Sequence, residues 1–178
     1  KVGDTEYETL QDVLEEMSEA EITLLQNVKE DITVYAATII HMNGFSITGN
    51  IDVTDSLTLT GGIVDGTVNV DGGVFNMTAP SDAEAAITKG LNVVSGSAYV
   101  SGAQIGVKFS LYFDGDELII SGSEQAVSLT DSAKPDNLTL YGATSVDQDA
   151  TLSVEFDGST YATYGSIAKK ISNKQGGS

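Results

Sequence analysis

Short segments in which apolar residues alternate with Thr, Ser or Asn recur along most of this chain, cut apart by glycine-containing turns. Such period-two alternation marks a strand with one face buried. It runs through Ile22-Thr23-Leu24-Leu25, Ile32-Thr33-Val34, Thr38-Ile39-Ile40, Phe45-Ser46-Ile47-Thr48 and Leu57-Thr58-Leu59-Thr60. It continues in Val68-Asn69-Val70, Val74-Phe75-Asn76-Met77, Leu91-Asn92-Val93-Val94 and Leu118-Ile119-Ile120-Ser121. Val127-Ser128-Leu129-Thr130, Leu138-Thr139-Leu140-Tyr141 and Leu152-Ser153-Val154-Glu155 complete the series. Asn43-Gly44, Gly61-Gly62, Asp65-Gly66, Gly72-Gly73, Asp114-Gly115 and Asp157-Gly158 are turn signals between them. Spacing selects the architecture. The segments at 57, 74 and 91 start 17 residues apart, and those at 118 and 138 follow at a looser 20 to 27. Turns of about 17–25 residues carrying two or three short strands suit a parallel β-solenoid. An immunoglobulin-like sandwich would use fewer, longer strands and often a core Trp, which this chain lacks.

One stretch reads as helix. Leu10, Val13, Leu14 and Met17 share a face at i, i+3, i+4, i+7 spacing, with Thr9 placed to cap and Asp12 three residues on. An amphipathic helix ahead of a stack of strands is expected to cover the open edge of that stack. The expected organisation is therefore an N-terminal strand and capping helix over residues 1–21, solenoid rungs over 22–158, and a closing segment with tail over 159–178. Ser166 to Ile171 could form a closing strand or a turn of helix.

The charge balance excludes whole classes of partner. The chain has 26 acidic residues, 8 Lys, no Arg and a net charge of −18. A nucleic-acid binder needs cations to neutralise phosphates, and an anionic membrane surface would repel this chain. No apolar run approaches the ~20 residues of a membrane span. Cys is absent, so neither disulfides nor thiolate metal sites are available. Acidic, Cys-free composition fits a secreted or cell-surface protein of a Gram-positive bacterium. A start at Lys1 without Met suggests a segment of a longer exported protein or a mature form, and the final Gln175-Gly176-Gly177-Ser178 reads as linker.

The first third also carries a resemblance. Tyr7 to Met17, then Glu21-Ile22-Thr23-Leu24-Leu25-Gln26-Asn27-Val28, then Ile40 to Gly49, then Leu57-Thr58-Leu59-Thr60-Gly61-Gly62 follow one another in order. This succession, over about residues 2–75, resembles bacterial cell-surface proteins with a pectate-lyase-like right-handed parallel β-helix domain. The resemblance implies an all-β, short right-handed parallel β-helix. It implies little about function, since adhesins, carbohydrate-associated modules and stalk domains share the pattern.

Catalytic candidates are few. A lyase of that kind uses clustered Asp for calcium and usually an Arg base, and there is no Arg. A desolvated Lys could serve instead, with Lys89 and Lys108 as candidates and solvated surface lysines as the plainer reading. Asp114, Asp116 and Glu117 lie too close in sequence to read as the facing carboxylates of a glycosidase. His41 is the lone His, beside the Asn43-Gly44 turn, so a Ser-His-Asp triad would have to use it. The expectation is a non-enzyme without a cofactor. Calcium is the one ion the composition suits, at Asp114, Asp116 and Glu117 or at Asp147 and Asp149, against a plain reading as acidic turns. Tyr99, Phe109, Tyr112 and Phe113 would offer flat rings to a sugar, as would Tyr161 and Tyr164, unless they are core. The sequons at Asn76 and Asn137 matter only in a eukaryotic source. The expected function is a non-enzymatic surface module, adhesin-like or a spacer, with a carbohydrate-binding module as the alternative. Its partner would be a host or dietary glycan or a surface protein.

Overall fold

In a computed structural model the alternating segments lie in parallel, each over its counterpart one turn earlier, as a β-solenoid of about 5 turns. The structure describes residues 1–113 and 115–128, together with strands Leu138–Leu140, Thr151–Phe156 and Ser159–Tyr164. Three columns of strands make up each turn. The first column stacks β1 (Ala20–Thr23), β4 (Thr38–His41), β7 (Leu57–Thr60), the second halves of β9 (Thr67–Thr78) and β11 (Gly90–Ser101), and β14 (Glu117–Ile120). The second stacks β3 (Ile32–Val34), β6 (Ile51–Val53), the first halves of β9 and β11, β13 (Leu111–Phe113) and β16 (Leu138–Leu140). The third stacks β2 (Val28–Lys29), β5 (Ser46–Thr48), β8 (Ile63–Asp65), β10 (Ala85–Ile87), β12 (Ile105–Lys108), β15 (Gln125–Ser128) and β17 (Thr151–Phe156). β18 (Ser159–Tyr164) then turns back antiparallel to β17.

Alternation decides which side chains go inside. Ile22, Ile40, Leu59, Met77, Val100 and Ile120 form one buried row in the first column. Val34, Val53, Val70, Val93 and Phe113 form another in the second, and Ile47, Val64, Ile87, Val107 and Val127 fill the third. Each contributes about 1.5–3 kcal/mol when fully buried. The buried hydroxyl of Thr38 donates to the Ala36 carbonyl at 2.9 Å, which satisfies it inside this apolar stack.

The first turn would leave its strand edges open, and the N-terminal segment closes them. Helix α1 (Leu10–Glu16) buries Leu10, Val13 and Leu14 in the core. Thr9 caps it by accepting from the Asp12 amide at 3.2 Å, as the sequence leads one to expect. The helix is also tied to the first turn. The Glu30 carboxylate accepts from the Leu10 and Gln11 amides at 2.8 and 3.2 Å, and the Gln11 side chain accepts the edge amide of Thr33 at 2.9 Å. The Lys1 carbonyl accepts from the Thr23 amide at 2.8 Å. Donors that would otherwise offer pairing to another chain are thus occupied.

Turn lengths correct the expected 17-residue series. Leu57 lies over Phe75 in the first column, whereas Leu91 lies over Val68 in the second. The series at 57, 74 and 91 steps from one column to the next, because both columns share the same alternation and only register tells them apart. Along the second column Ile51, Val68, Leu91 and Leu111 stack, so successive turns hold 17, 23 and 20 residues. Gly72-Gly73, expected as a turn, lies within β9, where both glycines take positive φ as the strand bends between columns.

Two outcomes test this packing. A Cβ on Gly66 would collide with the Gly49 backbone carbonyl of the turn beneath. Gly66→Ala should therefore lower the unfolding free energy by about 3 kcal/mol in urea titration, as overpacking against rigid backbone does. A change within experimental error would show that the turns do not meet backbone to backbone there. Glu30→Gln leaves one carbonyl where two carboxylate oxygens served the helix, and should cost about 1 kcal/mol by the same measurement.

Candidate functional site

Among the residues whose side chains are described, the outward positions of the second column are the middle residues of its apolar triplets: Thr33, Asp52, Asn69, Asn92 and Tyr112. In-register pairing sets them in a single row, Thr33 over Asp52, Asp52 over Asn69, Asn69 over Asn92 and Asn92 over Tyr112. Neighbouring turns lie ~4.8 Å apart, so the row runs about 19 Å along the solenoid axis. Its polar members hold one another. Asn69 donates its carboxamide to Asp52 at 2.7 Å, and Asn92 donates to the Asn69 carbonyl oxygen at 2.8 Å. The corner after this column adds Thr54, Asp71 and Val94. Thr54 donates to the Val34 carbonyl at 3.0 Å, and Ser95 donates to Asp71 at 3.0 Å. Val94 stays 49% exposed.

Row and corner together bound an open groove of about 610 Å3, lined by Thr33, Asp52, Thr54, Asn69, Asp71, Asn92, Val94 and Tyr112 with Val53 at its floor. It brings carboxylates, carboxamides, hydroxyls, one aliphatic side chain and one phenol ring to a single strip, and no cation is among them. No protein-family model, curated protein or solved structure matches the chain.

The aromatic residues singled out from the sequence separate in space. Tyr112 lines the groove. Phe113, the next residue in the same strand, is fully buried with Phe75 in the core and cannot meet a ligand at the surface, because alternation turns it inward. Phe109 is 51% exposed at the corner before β13, with φ of 79°. Tyr99 faces outward from the first column and donates its phenol to Glu117. Tyr161 and Tyr164 fall in β18, whose side chains lie outside the described residues.

The acidic candidates divide in the same way. Asp114, Asp147 and Asp149 lie outside the described residues. Asp116 is exposed, and Glu117 accepts from Tyr99. Among the described residues no group of three or more His, Asp or Glu side chains is placed to hold a metal ion. Asn76 faces outward on β9, and Asn137 lies outside the described residues.

The two lysines considered as bases both meet carboxylates. Lys89 lies 3.6 Å from Asp65, and Lys108 lies 2.7 Å from Glu84. The Lys108 hydrogen bond, then its charge, holds the Glu84 carboxyl below its ordinary value. Neither lysine has the apolar surroundings a neutral amine base needs. His41 sits in an outward row of the first column, its Nε2 3.0 Å from Glu21 and its Nδ1 3.1 Å from the Thr60 hydroxyl. Thr60 stands in register over His41, whereas the Glu21 carboxylate reaches the imidazole diagonally, since Glu21 pairs with Ile39 and Thr23 is the residue in register with His41. Stacked register produces such rows on every column, and the Glu21 side chain is 73% exposed to water.

A second cleft of about 430 Å3 lies between the N-terminal segment and the first turn, lined by Tyr7, Leu24, Leu25, Lys29 and Glu30 among others. It belongs to the cap. Among the described residues no helix is long and apolar enough to cross a membrane.

The groove residues were present in the sequence as the centres of Ile32-Thr33-Val34, Val68-Asn69-Val70 and Leu91-Asn92-Val93. Their signal was the shared triplet. Tyr112 was expected at a sugar-binding surface from its ring, whereas Asp52 escaped notice because Ile51-Asp52-Val53 was not read as a strand.

The Tyr99 pair has a pH signature. Donation to Glu117, followed by partial burial and the nearby negative charge, raises the phenol above its ordinary value near 10. The neutral phenol is the form the fold favours, so this contribution is complete below pH 10 and is lost as pH rises through the raised value. Wild-type stability should thus fall more steeply above pH 10 than that of Tyr99→Phe. Parallel urea titrations at pH 8 to 11 check this, and identical slopes would show that the bond does not hold the phenol neutral.

Proposed function

We propose that this chain is a non-enzymatic contact module of a secreted or surface-held bacterial protein, adhesin-like or a spacer, on a solenoid of the pectate-lyase-like kind. The observation that carries the reading is the tied row along the groove. Hydrolysis of a glycosidic bond needs two carboxylates facing a substrate, one of them positioned to give a proton. In the groove Asp52 is held by Asn69 and Asp71 by Ser95, each by a neighbour on its own flank. Rows bonded from turn to turn make a stiff flank, suited to contact or to holding other domains at a distance. The net charge of −18 favours solubility outside a cell. The composition and the resemblance of the first third favour export.

A second reading, carbohydrate binding, is favoured by one specific observation: a groove that sets Tyr112 beside a row of carboxamides and hydroxyls. Catalysis and contact are separated by product analysis. Neutral and acidic polysaccharides incubated with the chain, with and without calcium, should yield no new reducing ends and no unsaturated products. Either product would overturn the non-enzymatic reading. Beads coated with the chain then divide adhesin from spacer, since only an adhesin retains them on cells.

A further inference from the structure

We infer that the groove along the second column takes an uncharged, extended polysaccharide segment, laid parallel to the solenoid axis with about one sugar unit facing each turn. This rests on the contact-module reading and gives it a ligand class. Three properties of the groove lead there.

The first is charge. Asp52 and Asp71 line the groove without a cation beside them, in a chain of net charge −18. Like charges across a contact are costly, so acidic polysaccharides, nucleic acids and phosphorylated ligands are repelled. Neutral hydroxyl-bearing chains meet no such penalty.

The second is hydrogen-bonding capacity. A carboxamide has two N–H donors and an oxygen with two lone pairs. Asn69 and Asn92 each donate one N–H along the row, and the Asn69 oxygen accepts once, which leaves further donors and acceptors on both for a ligand. Sugar hydroxyls both give and accept, as the row does. Because the side chains are already fixed by one another, little rotamer freedom is lost on binding. Tyr112 at one end of the row and exposed Val94 beside it supply the flat and apolar surface that the less polar face of a pyranose ring can cover.

The third is spacing. Equivalent groups recur along the row every ~4.8 Å. An extended peptide places equivalent side chains every two residues, about 6.6 Å apart, and loses register with the turns within two or three repeats. One pyranose unit of an extended β-1,4-linked chain is close in length to one turn, and successive units are flipped, so alternate units present like hydroxyls to every second turn. From Thr33 to Tyr112 the row spans five turns, and Thr139 of β16 pairs in register beyond it. Affinity should therefore rise with chain length over at least about five units.

Titration calorimetry with β-1,4-linked glucose oligomers of two to six units tests this, with polygalacturonate and oligolysine as charged controls. The expected result is binding that tightens with each added unit across the series, and no binding of polygalacturonate. Tyr112→Ala should weaken the pentamer about tenfold or more. Asn92→Asp, close in size and adding a negative charge to the row, should do the same, and guards against loss of packing in the Tyr variant. Circular dichroism and melting temperature identify any variant that fails to fold. The proposal is overturned if no uncharged oligomer binds at millimolar concentration, if both folded variants bind as wild type does, or if oligolysine takes the groove in preference. A chain that binds no oligomer and also cleaves none loses this inference alone, whereas cleavage products would overturn the contact-module reading itself.

Discussion

The inner strands of this solenoid take their backbone hydrogen bonds from the turns on either side, so the register between turns is common to all residues in a column. The inner rows exist because of it. Once Val34 lies over Val53 and Val53 over Val70, like side chains stack on like, and the core can be built from a few residue types repeated at close to native packing density. The same pairing creates the chief liability of the fold, an open row of donors and acceptors at each end. At the N-terminal end helix α1, Glu30 and Gln11 meet that need with side chains, and the first turn is covered by its own chain.

The outward rows follow from the same constraint. A polar residue at the centre of an apolar triplet has a polar neighbour ~4.8 Å away in the next turn whenever that triplet is polar at its centre too. Carboxylate accepts from carboxamide, and carboxamide accepts from the next carboxamide, as in Asp52, Asn69 and Asn92. Thr23, His41 and Thr60 are a row of the same origin on the first column, with Glu21 reaching His41 from the row beside it. A line of functional groups on such a surface is therefore not evidence of chemistry by its presence alone. What distinguishes the second column is the wall beside it, where Thr54, Asp71 and Val94 turn a row into a groove ending at Tyr112.

The strand class, the stacked architecture and the capping helix were legible because each depends on a local pattern. Alternation in Leu57-Thr58-Leu59-Thr60 and the i, i+4 face of Leu10 and Leu14 are visible within a few residues. The third column was missed in part: β5, β15 and β17 overlap segments that alternation marked, but β2, β8, β10 and β12 did not show. Those four run to two to four residues, and Ala85-Ala86-Ile87 is buried throughout, so it shows no alternation. The turn length was misread for a related reason: two columns with one alternation offer a false period. Of the residues chosen for a sugar-binding surface, Tyr112 lines the groove, Phe113 points inward, and Tyr99 stands on another column. Sequence proximity put them together, and alternation with corner geometry took them apart.

The amino-acid sequence by itself determined that this chain forms short half-buried strands, that it stacks them, and that a helix closes one end. These are matters of local period, which need no knowledge of register. Only the tertiary structure decided which polar residues share a row, which aromatic faces out, and where a wall makes a groove. Thr33 and Tyr112 are far apart in the chain, and nothing local relates them. Parallel pairing over five turns sets them on one strip, because each turn has its own length and register emerges only when the turns are laid against one another.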